Sequence, residues 1–147
     1  VLDSILNRIT QNRAKGKNTF IFIDEIYLLF QHEYSANFLF TLWKRVRKYG
    51  AFATGITQNV DDLLQSHTAR TMLANSEFLI MLNQASTDRI ELAKLLNISD
   101  RQLSYITNFD AGHGLIKVGS SLVPFANKFP KNTKLYKLMT TKLGEGA

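Results

Sequence analysis

Cysteine is absent from the chain, which excludes disulfides and thiolate metal sites and fits a reducing compartment. No apolar run approaches the roughly 20 residues that a membrane-spanning helix needs. The N-terminus Val1-Leu2-Asp3-Ser4 lacks the charged-then-apolar layout of a signal peptide, so a soluble chain is expected. Internal repeats and low-complexity segments are missing as well. What is there is ordinary for a globular protein: 147 residues, 45% of them hydrophobic, enough for one domain with a sizeable core. A formal net charge of +6 permits contact with nucleic acid or anionic lipid. The basic residues read as spread along the chain, which favours a solvated basic surface. A start at Val1 rather than Met reads as a piece of something larger.

The stretch Thr19–Phe30, TFIFIDEIYLLF, stands out. Phe20 to Ile23 run without polar alternation, as in a strand covered on both faces. Burying Asp24 and Glu25 in such a strand costs several kcal/mol each, so the two acids belong at its carboxyl end, where open α/β sheets place their sites. Four apolar residues followed by Asp-Glu form the Walker B pattern, in which the first acid holds Mg²⁺ through water and the second polarises the attacking water. On this stretch alone a strand ending in an acidic helix cap is an equally good reading.

Around it, spacing predicts a helix over 3–13 from Leu2, Ile5, Leu6 and Ile9. A second helix is predicted from Ser35 as N-cap, through Phe38, Leu39, Leu42, Trp43 and Val46, to a stop at Gly50. Its last turns carry Lys44, Arg45, Arg47 and Lys48, which suit a helix C-terminus and also suit a phosphate in a neighbouring subunit. Ala51–Ile56 reads as a second strand running into Thr57-Gln58-Asn59. Its end is expected beside that of the first strand, with Thr57 and Gln58 able to hydrogen-bond a reacting water or a terminal phosphate. Short helices follow at Asp61–Leu64 and Thr68–Ala74, then a third strand at Glu77–Leu82. A helix from Ser86 comes next, and another over Ile98–Ile106 has a Ser99/Gln102 capping box. Gly112–Val118 and Ser121–Phe125 flank Gly119-Ser120 as a hairpin, with Pro124 near an edge or a strand end. The remainder turns polar and basic, and Gly144–Ala147 reads as a frayed end or a cloning remnant.

Alternation of this kind implies an α/β fold with a mainly parallel sheet, helices on both faces and a C-terminal β-hairpin. Yet no GxxxxGK[ST] phosphate loop occurs anywhere in the chain.

The ordered series FIFIDEIYLLF, LWKRVRKYGAFATGITQNVDDLL, LANSEFLIMLNQASTDR and GHGLIKVGSSLVPF resembles the C-terminal part of the motor domain of conjugative type IV secretion ATPases, of the HerA/FtsK-like clan. The likeness runs from about Leu2 to Tyr136, so residues 1–136 are expected to be the C-terminal half of a partial RecA-like ATPase domain and 137–147 a flexible tail. The resemblance implies Asp24 as the Mg²⁺-linked acid, Glu25 as the catalytic acid, and Gln58 as the sensor glutamine with Thr57 beside it. It also implies that Arg45, Arg47 and Lys48 approach nucleotide or neighbour. The parent would use ATP and Mg²⁺, hydrolysing ATP as a homo-oligomer, a hexamer, with other components of a membrane-spanning conjugation channel and contact with DNA. It would work in the cytoplasm at the inner face of the membrane. The fragment without its phosphate loop is expected to be inactive and to bind no cofactor. The alternative is a non-enzymatic α/β docking or DNA-binding module. In RecA-like sheets the phosphate-loop strand lies between the sensor strand and the next one. Its absence predicts either that Ala51–Ile56 pairs with Glu77–Leu82 or that the chain self-associates.

Overall fold

An apolar stripe at helical spacing, with Asp3 in its first turn and Arg13 in its last, makes Leu2–Ala14 an α-helix, α1. The computed structural model describes residues 2–83, 86–107 and 111–141, in two compact units, 1–76 and 77–147.

In the first unit the chain turns at Gly16, in the left-handed region at φ +67°, and enters β1, Thr19–Ile23. A 3₁₀ turn, Ile26–Phe30, leads to helix α2, Glu33–Arg45, and a second 3₁₀ turn, Val46–Tyr49, ends at Gly50 with φ +63°. That left-handed residue redirects the chain into β2, Ala51–Gly55, which pairs parallel with β1 in the register Thr19↔Ala51 to Ile23↔Gly55. Helices α3, Val60–Gln65, and α4, His67–Ala74, follow. They begin where short polar side chains accept first-turn amides: Asn59 from Asp62, and Ser66 from Ala69.

Two apolar clusters hold this unit. Ile9 of α1, Leu42 and Val46 pack on Ala51, with Ile21 and Ala53 beside them. Ile26, Leu39, Leu63, Ala69 and Met72 bring α2, α3 and α4 together over the end of β1. The helices thus cover the Ile21 and Ala53 side of the sheet. On the other side Phe20 and Phe52, register partners, stack with ring centroids 5.0 Å apart, and both, with Phe22, are exposed.

Ser35 does not cap α2. The helix begins two residues earlier, after His32. Ser35 lies in its first turn and donates to the carbonyls of Leu29 and His32, a local bond that competes with capping for such residues.

The second unit contains β3, Phe78–Met81, helix α5, Ser86–Leu96, and the short α6, Asp100–Leu103, which continues as a 3₁₀ turn to Ile106. The hairpin β4, His113–Val118, and β5, Ser121–Ala126, completes its sheet. The Ser99/Gln102 capping box forms as expected. β4 pairs antiparallel with both β3 and β5, and Pro124 lies on β5, which among the described residues pairs with β4 alone. Met81, Leu92, Leu96, Ile98, Ile106 and Leu115 are buried here. A last helix, α7, Lys134–Met139, has no counterpart in the expected elements, and the expected boundary at residue 136 falls inside it. Gly144–Ala147 lies outside the described residues.

The mixed α/β class, the parallel pair and the C-terminal hairpin are as expected. The described strands nevertheless divide into a two-stranded parallel and a three-stranded antiparallel sheet. The expected pairing of Ala51–Ile56 with Glu77–Leu82 does not form: β2 pairs with β1, and β3 takes β4. Each strand meets the neighbour that its own unit supplies, leaving one edge of β2 and one of β3 unpaired among the described residues.

Candidate functional site

The carboxyl ends of β1 and β2 meet through a single residue, Ile56. Its N–H donates to the Ile23 carbonyl at 2.8 Å, and its own carbonyl accepts the Ile26 N–H at 3.0 Å. A regular parallel ladder leaves one residue between two such bonds; here there are two, Asp24 and Glu25. The acids form a bulge, the device by which strands re-aim side chains at their ends. Glu25 has left-handed backbone, φ 49° and ψ 46°, which is uncommon for a residue with a Cβ. The Glu25 N–H donates to Asp24 Oδ1 at 3.0 Å, closing the bulge on itself.

Packing beneath the bulge holds it in place. Ile26 is buried and lies against Gly55, the last residue of β2. A Cβ on Gly55 would meet Ile26 Cδ1 at 2.7 Å and the Trp43 ring at 3.4 Å. Glycine here lets the Ile26 side chain seat directly after the acids. Trp43 is oriented in turn by a 3.2 Å bond from its indole N–H to Ser76 Oγ. Asp24 is exposed and Glu25 half-buried, directly before the buried Ile26.

On the β2 side Thr57 is half-buried, and its hydroxyl oxygen accepts the Asn59 N–H at 3.1 Å. Asn59 caps α3 and donates through Nδ2 to Asp62 at 2.6 Å. Thr57 therefore shapes the loop, and the residue presented between these fixed points is Gln58, which is exposed. Asp24, Glu25, Thr57 and Gln58 are brought together at one sheet end. Arg45, Arg47 and Lys48 are not. They are exposed at the end of α2 and in the turn that feeds the start of β2, so they lie at the opposite end of the strand. Five residues of about 3.3 Å rise make that separation roughly 16 Å. Arg45 instead borders a cavity of about 220 Å³ between α1 and α2, with Leu6, Thr10 and Tyr49.

Glu25 precedes the Ile26–Phe30 turn without any side-chain cap bond. The bulge and the left-handed Glu25 are features that the sequence reading missed; no local signal such as glycine marks that position.

A family model described as the TraG P-loop domain matches residues 1–114, which include all of these side chains. The chain belongs to the TraG P-loop domain family. The resemblance to conjugative type IV secretion ATPases is thereby met at the level of family and fold. A solved structure of VirB4 of Thermoanaerobacter pseudethanolicus is similar in fold, with a TM-score of 0.76 at 24% identity over 86% of this chain. That match covers 34% of the VirB4 chain, so this chain spans about a third of its length. A comparison with curated proteins finds no match. Within the TraG P-loop family the part represented here carries the acid-tipped strand, while the GxxxxGK[ST] loop is not in the sequence.

Proposed function

We propose that this chain is the acid-bearing part of a conjugative transfer motor, a type IV secretion ATPase that couples ATP hydrolysis to movement of DNA or protein. The observation that carries the reading is the bulge that sets Asp24 and Glu25 beside the loop presenting Gln58, in a chain that the TraG P-loop model matches over 1–114.

The residues suit Mg²⁺ rather than a metal caged by protein. Among the described residues no three His, Asp or Glu side chains cluster, and Mg²⁺ is typically held by one or two carboxylates with waters and substrate phosphates. Asp24 uses Oδ1 on the Glu25 N–H, and its second oxygen would hold the ion through water. An ion held there by Asp24 would supply charge neutralisation at the phosphates. Glu25 would accept a proton from the attacking water. Gln58 would hydrogen-bond that water or the terminal phosphate, with Thr57 keeping its loop in shape. Arg45, Arg47 and Lys48, at the far end of the strands, would act on a neighbour's nucleotide in a hexamer. The fragment itself would be inactive without a phosphate loop. The parent would work in the cytoplasm at the inner membrane face with channel components and DNA.

The test uses the longer protein that includes a phosphate loop. Glu25→Gln should lower ATP hydrolysis by about 10²–10⁴-fold while leaving nucleotide binding intact. Undiminished hydrolysis would reject the assignment and favour a docking or DNA-binding module.

A further inference from the structure

The basic charge is not spread evenly. Residues 111–147 hold six of the chain's eighteen Lys and Arg but only one of its twelve acids, Glu145, so nearly all of the net charge of +6 resides there. The family match ends at residue 114, before most of this segment.

Within it the chain builds a helix that exposes its apolar side. Thr133 caps α7, its hydroxyl oxygen accepting the Tyr136 N–H at 3.2 Å while its hydroxyl donates to the Pro130 carbonyl. Leu135, Leu138 and Met139, spaced i, i+3 and i+4 on one helical face, are 56%, 64% and 73% exposed. Phe129, also exposed, stacks on Tyr136 with centroids 6.4 Å apart. Lys134 and Lys137 lie on the same short helix and are exposed, as is Lys128 upstream.

Aliphatic side chains next to lysines, without intervening acids, match the surface of an anionic bilayer. The lysines meet lipid phosphates and the leucines enter the acyl boundary. A nucleic-acid backbone uses the lysines but has no place for Leu135, Leu138 and Met139. We infer that Phe129–Met139 is a docking surface for anionic lipid. It would hold the chain against a membrane face without spanning it, since no described helix is long and apolar enough to cross one. The inference does not depend on the chemistry proposed for Asp24 and Glu25.

Co-sedimentation of the 147-residue chain with vesicles tests it, using phosphatidylcholine alone and phosphatidylcholine with phosphatidylglycerol. Binding is expected to the mixed vesicles only, weakening as salt rises. Lys134→Gln and Lys137→Gln should each reduce it about fivefold. The double variant Leu135→Ser, Leu138→Ser should reduce it at least as much, with unchanged circular dichroism because both positions are exposed. Equal binding to both vesicles, or no binding, overturns the inference. So does binding that the leucine variant leaves intact. If duplex DNA is bound instead and only the lysine variants weaken it, the surface is a nucleic-acid contact and the lipid assignment is wrong.

Discussion

Replacing Glu25 by glycine and, separately, by alanine isolates the strain in the acidic bulge, because both variants remove the same carboxylate. At φ 49° and ψ 46° a residue with a Cβ is held in left-handed backbone, at a cost of about 1–2 kcal/mol. Alanine keeps that cost and glycine relieves it. Against this, glycine leaves the unfolded chain with more conformations, worth about 0.4–1 kcal/mol in favour of alanine. The difference leaves the glycine variant more stable than the alanine variant by about 0.5–1 kcal/mol, the reverse of the order at an ordinary helix or strand position. Urea unfolding reads it conveniently, since Trp43 is the only tryptophan and packs against Gly55 and Ile26 in the same unit. With a slope of about 1–2 kcal/mol per molar urea, the midpoints should differ by about 0.5 M. If the alanine variant is as stable as the glycine variant or more so, Glu25 is not left-handed. The bulge, and with it the placement of both acids, would then be wrong. A confirmed order would make Glu25→Gln the proper partner variant for activity, because glutamine keeps the strain and changes only the charge.

Leu39 is fully buried where α2, α3 and α4 meet beneath the bulge, so Leu39→Ala should destabilise the first unit by about 2–5 kcal/mol, measured by the same fluorescence. Phe20→Ala, on the exposed side of β1, should cost about 1 kcal/mol or less, mostly its stacking with Phe52. In the second unit a Cβ on Gly114 would meet the Met81 carbonyl at 2.3 Å. Gly114→Ala should therefore force β3 and β4 apart at a cost of about 1–3 kcal/mol, seen as faster amide exchange along that ladder.

The string of apolar residues and acids from Thr19 to Phe30 was enough to identify a strand with two acids at its tip, because an unbroken apolar run, charge placement and length are all local properties. The same holds for the α3 start near Asn59, the Ser99 capping box and the Gly119-Ser120 hairpin, each set by residues a few positions apart. The family was legible from the order of these pieces, and the match over 1–114 bears it out. What neighbours in sequence do not encode had to come from the folded chain. That Asp24 and Glu25 bulge out follows from Ile56 bonding to both Ile23 and Ile26, contacts made across some thirty residues. That Arg45, Arg47 and Lys48 lie at the other end of β2 follows from the parallel register, although they seemed close to Gln58 in the sequence. Helix α7 is not legible in the sequence because six residues, fewer than two turns, are too short for an apolar spacing to distinguish a helix. The sequence by itself determined which strands end in which polar groups. The tertiary structure decided which of those ends meet, because only packing across the sheet brings distant residues into register.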